Sequence, residues 1–66
     1  MSKQQATKLA KQAMEVVTVG EPESVADTTV LILEADGTYS VTDNGEEVNG
    51  LSKERAIEII VENLTA

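Results

Sequence analysis

With 66 residues, no cysteine and no histidine, the chain can form no disulfide framework, offers no thiolate or imidazole to a metal, and excludes Cys- or His-based catalysis. Its net charge of −7 repels nucleic-acid phosphates over most of the surface and favours basic partners, while also serving simply to keep a small domain dispersed. A single domain of this size buries only about 60% of its unfolded surface, so oligomerisation or partner binding is the remaining source of stability.

The longest wholly apolar run, Val30 to Leu33, is far short of a membrane span of about 20 residues. Met1 to Val19 carries lysines and glutamines rather than an apolar centre. No membrane segment or secretory leader is therefore expected, and the expected compartment is the cytoplasm. Charge is uneven along the chain. Residues 1–14 hold Lys3, Lys8 and Lys11 with no acid, whereas residues 15–66 hold Lys53 and Arg55 against all twelve acids, so +3 is followed by −10.

In chain order, Ser2-Lys3-Gln4-Gln5 has the form of a capping box and starts a helix over about residues 3–18. Ala6, Leu9, Ala10, Ala13, Met14, Val16 and Val17 fall on one side of it at helical spacing. The β-branched run Val16-Val17-Thr18-Val19 and then Gly20 end it between Val16 and Val19. Residues Gly20 to Asp27 hold the only proline and no clear period, and are read as a connection with Val25 and Ala26 tucked under the sheet edge.

Strands are expected at about 28–34, 38–43 and 46–49, joined at Asp36-Gly37 and Asn44-Gly45, two dipeptides that suit two-residue type I′ hairpins. Two-residue loops place Ile32 opposite Val41, Val41 opposite Val48, and Glu34 opposite Tyr39. That register turns Val30, Ile32, Tyr39, Val41 and Val48 to the core, and Thr29, Leu31, Leu33, Ser40, Thr42 and Glu47 to the other face. Asn49-Gly50 then reads as a third turn out of the sheet.

The last helix is expected at about 53–64. Ser52 is a good N-cap, Glu54 sits in the first turn, and Leu51 can staple onto Ala56. Ala56, Ile57, Ile60, Val61 and Leu64 share one face, flanked by a stripe of Glu54, Glu58 and Glu62, while Ile59 lies outside the apolar face. The expected fold is α+β: a two-layer α-β-β-β-α arrangement, a three-stranded antiparallel meander with two helices on one face.

This order resembles the topology of double-stranded RNA-binding domains, and Gly50, Ser52-Lys53 and Ala56 echo the start of their final helix. The resemblance implies an RNA-binding role through Lys3, Lys8 and Lys11. It is opposed by Glu54, which stands where that family carries a second lysine, and by the lack of a His-bearing loop between the first two strands. The same order on an acidic chain is also similar to phage anti-CRISPR proteins that imitate DNA, which implies an inhibitor occupying a phosphate-binding groove.

No residue pattern points to catalysis, a cofactor or a metal site. Paired carboxylates such as Asp36 with Asp43, or Glu46 with Glu47, fall at hairpin tips, and Asp36-Gly37-Thr38 lacks the alternating ligands of a calcium loop. The leading expectation is a small acidic protein-interaction module, a regulator or inhibitor acting by stoichiometric binding, as a homodimer or with a protein partner. Its candidate contacts are Leu31 and Leu33 on an open sheet face, Glu54, Glu58 and Glu62 on the last helix, and Asp43, Glu46 and Glu47 at the second turn. A homodimer joined through Thr28 to Leu33 would cover the two leucines.

Overall fold

A computed structural model describes residues 1–66. The order is α1 (Lys3–Val16), β1 (Glu23–Ala26), β2 (Thr29–Leu33), β3 (Tyr39–Asp43), β4 (Glu46–Leu51) and α2 (Lys53–Thr65). The strands form one antiparallel sheet in the order β1-β2-β3-β4. The fold is thus α+β as expected, but the sheet has four strands, not three, and the helix–three strand–helix order behind both resemblances becomes helix–four strand–helix. No helix is long and apolar enough to cross a membrane.

Helix α1 starts where the capping box places it, with the Ser2 hydroxyl accepting from the Gln5 amide at 3.1 Å. Ala6, Ala10 and Ala13 are buried along one face, and with only a methyl each they let α1 lie close against α2. The helix stops at Val16, since Val17 is already extended. A turn over Thr18 to Glu21 follows, with Gly20 at φ +80° in the position a type II turn reserves for glycine. The Gly20 amide donates to the Leu33 carbonyl at 2.9 Å, so the turn is tied to the end of β2.

The extra strand comes from the segment read as a connection. Asp27 takes φ +47°, a left-handed conformation that Asp tolerates, and with Thr28 closes a hairpin between Ala26 and Thr29. Strand β1 is short and irregular between Ser24 and Ala26, which explains its weak period. Strand β2 is consequently interior, so a homodimer paired along Thr28 to Leu33 has no free edge there.

The first central turn corrects the register. Asn44 and Gly45 both have positive φ, as a type I′ hairpin demands. At the other turn only Gly37 does. The Gly37 amide donates to the Glu34 carbonyl at 3.0 Å and the Glu34 amide to the Thr38 carbonyl at 2.8 Å, so the loop is Ala35-Asp36-Gly37, three residues long. The Asp36 carboxylate explains the choice, because it accepts from the Thr38 amide at 3.0 Å and the Thr38 hydroxyl at 2.7 Å. One additional loop residue slides β2 by one position. Leu31 therefore pairs with Val41, Leu33 with Tyr39 and Ile32 with Ser40, and every β2 side chain changes face.

A second irregularity lets the chain re-enter the core. Val41 pairs with Val48 and Tyr39 with Leu51, so Asn49 and Gly50 together oppose Ser40 in a bulge, with Gly50 at φ +70°. Asn49-Gly50 is thus a kink within β4, not a turn out of the sheet. The additional residue brings Leu51 to the face of Tyr39 and Val41, where it is buried at the threshold of α2.

The core consists of Ala10 and Ala13 from α1, Leu31, Val41 and Leu51 from the sheet, and Ala56 and Ile60 from α2. Helix α2 packs across β2, β3 and β4, and α1 packs against α2 and β1. Ile59, placed outside the apolar face by spacing, is half-buried against this core. Only 10 of 66 residues are buried, four of them alanines, so the core is thin even for a chain this short.

Candidate interaction surface

The eight residues singled out by sequence do not form one site. Leu31 is fully buried and belongs to the core, and Leu33 is half-buried on the same face of β2 beside Tyr39. Neither lies on the open face. Asp43 is committed to the fold, since one of its carboxylate oxygens accepts from the Thr28 hydroxyl at 2.9 Å and the Thr29 hydroxyl at 3.0 Å, tying the β1–β2 turn to the β3–β4 turn.

Glu58 and Glu62 line a groove between the two helices together with Lys3 and Arg55, and the Arg55 guanidinium donates to Glu58 at 3.0 Å. That ion pair is exposed and worth at most about 1 kcal/mol. The helix stripe is thus interleaved with cations, and Glu46, Glu47, Glu54 and Glu62 are the candidate acids that stand exposed without a bonded partner.

The open face is built instead from Ser24, Val30, Ile32, Ser40, Thr42, Glu47 and Asn49, the positions that alternate with the core residues. Val30 and Ile32 are half-buried there, although no helix residue belongs to that side. Ser40 is wholly buried, with its hydroxyl 2.8 Å from the Asn49 side-chain oxygen and 3.2 Å from a Glu34 carboxylate oxygen. One hydroxyl hydrogen cannot serve both. Turning the Asn49 amide so that its nitrogen donates to Ser40 frees the hydroxyl for Glu34 and satisfies all three groups. This cluster ties the residue that follows β2 to β3 and β4 and leaves Val30, Ile32 and Thr42 as the flat centre of the face.

Charge is partitioned by layer. All five cations lie on the helices, in company with Glu15, Glu54, Glu58 and Glu62. Residues 17–52, the whole sheet with its turns, hold Glu21, Glu23, Asp27, Glu34, Asp36, Asp43, Glu46 and Glu47 and not one cation. This block was visible in the sequence as a long interval without Lys or Arg, but its meaning depends on the interval being one sheet.

Of these acids, Glu21, Glu34, Asp36 and Asp43 accept side-chain or backbone hydrogen bonds. The Thr38 hydroxyl, and then the Thr38 amide, hold the Asp36 carboxyl below the usual aspartate value, moving it away from the neutral range in which a general acid or base works best. No three acidic side chains converge as a metal site would require. Comparison with protein-family models, with curated proteins and with solved structures finds no match.

Proposed function

We propose that the protein is a small acidic interaction module, a regulator or inhibitor that binds stoichiometrically and presents its sheet half to a basic partner protein. The observation that carries this reading is the block of eight carboxylates without a cation across residues 17–52. Such a surface raises the encounter rate with a positive partner and rejects negative ones. Val30 and Ile32 at the centre of the uncovered face supply apolar area, and Glu34 and Glu47 lie toward its margins. The apolar centre and charged margin match the usual anatomy of an interface.

The test compares two charge-neutral triples for binding to a basic partner recovered by cross-linking in native extract. Glu34→Gln, Glu46→Gln and Glu47→Gln together are expected to weaken binding at least about tenfold, a loss of about 1.4 kcal/mol. Glu54→Gln, Glu58→Gln and Glu62→Gln are expected to change it little. A larger loss from the helix triple would transfer the site to the α2 stripe.

The same block favours a second reading, imitation of nucleic acid. A sheet of carboxylates without cations suits a groove that otherwise holds phosphates. In that case the partner releases bound nucleic acid as the protein binds; unchanged nucleic-acid binding in the complex rejects this reading and leaves the first.

A further inference from the structure

The sheet has two edges, and they are finished differently. At β1 the ladder is broken between Ser24 and Ala26, Pro22 precedes the strand, and α1 packs against it; all three blunt an edge. At β4 five consecutive residues, Glu46 to Gly50, are exposed, and neither a helix nor a proline guards them.

The β3–β4 hairpin determines which backbone groups face outward. Asp43 and Glu46 close its two-residue turn and form a hydrogen-bonded pair, as do Val41 and Val48 two positions on. Glu47, between them, therefore directs its N–H and C=O away from β3 to the free edge. An apolar row runs across the sheet from Leu31 through Val41 to Val48 and stops at the edge: Leu31 and Val41 are at most 1% exposed, Val48 45%. Val48 is open because nothing stands beside it.

We infer that the β4 edge takes an extended basic segment of a partner as a fifth, antiparallel strand, with an apolar residue beside Val48 followed by two basic residues beside Glu47 and Glu46. This rests on the acidic-module reading and specifies its partner. The apolar residue continues the core row, the basic residues meet the two carboxylates across the strands, and the Glu47 backbone supplies the pairing bonds. Charge complementarity selects this occupant over a second copy, because two chains of −7 would bring their β4 acids together.

The probe is a synthetic eight-residue peptide containing V-K-K, titrated into the intact protein at low salt. Its control is the same peptide with the backbone nitrogen of the first lysine methylated, which keeps every charge but cannot pair with Glu47. Slowed hydrogen exchange at the Glu47 amide, with at least about tenfold weaker binding of the methylated peptide, supports the inference. Glu47→Pro, which removes the outward N–H at an edge position where proline is tolerated, should reproduce that loss while Glu47→Gln retains the protection.

Equal affinity for both peptides, or an unprotected Glu47 amide, overturns it. If the peptide instead perturbs Val30 and Ile32, the acidic module stands and the edge pairing falls. Glu47 protection that rises with protein concentration and no peptide makes a second copy the occupant, and also overturns it.

Discussion

Asp36 shows how one side chain can decide a register. A carboxylate that accepts both the Thr38 hydroxyl and the Thr38 amide stabilises a three-residue loop against the two-residue loop that the Asp-Gly dipeptide suggests. The ionised form makes these bonds best, so the folded carboxyl titrates below its ordinary value. Its contribution to stability is therefore complete above about pH 3.9 and is lost as the pH falls through the lower folded value. We expect the urea midpoint of the native protein to fall between about pH 4 and pH 2 by more than that of Asp36→Asn, with Asp36 titrating below the ordinary aspartate value by NMR. Titration of Asp36 at the ordinary aspartate value would remove the loop's preference from Asp36.

At the scale of the element, the consequence is the inversion of β2. Leu31 has the Val41 side chain across the strand pair and Ala56 and Ile60 of α2 in the same cluster, whereas Ile32 faces outward beside Ser40. Leu31→Asp would place an unpaired carboxylate in the core at a cost of several kcal/mol, comparable with the total stability of a small domain at about 5 kcal/mol. Ile32→Asp should cost about 1 kcal/mol and leave a cooperative melt. Thermal unfolding followed by circular dichroism distinguishes them, and an intact Leu31→Asp beside an unfolded Ile32→Asp would restore the two-residue loop. The faces of α1, α2 and β3 are not inverted, although Val16 at the end of α1 is exposed and Ile59 of α2 reaches the core, because helical spacing and the Asn44-Gly45 turn do not hinge on one side-chain hydrogen bond.

At the scale of the whole molecule, the layers differ in charge: the two helices sum to +1 and residues 17–52 to −8. Association of like sheet faces or edges is opposed by charge and should strengthen as salt screens it. Binding of a basic partner should weaken over the same range. From about 0.01 M to about 1 M ionic strength the screening length falls from about 30 Å to about 3 Å. Light scattering at tens of micromolar protein is therefore expected to show any dimer growing with salt. A dimer that dissociates with salt would mean that the helix layer of one copy meets the sheet layer of another, and the sheet block would no longer be available to a partner.

Both helices, their caps at Ser2 and Ser52, the Asn44-Gly45 hairpin and the α+β class followed from the sequence alone, because each is set by contacts within a few residues. The surface was only half legible. An uncovered sheet face with an apolar centre was expected, yet its residues are Val30 and Ile32 instead of Leu31 and Leu33. Strand β1 is not legible in the sequence because four residues interrupted by a bulge carry no period. Only the tertiary structure decided the face of β2, the burial of Leu51 and the free edge at β4. A strand's two faces differ by a single residue of register, and here that residue was settled by Asp36 bonding to Thr38 and by the bulge at Asn49-Gly50.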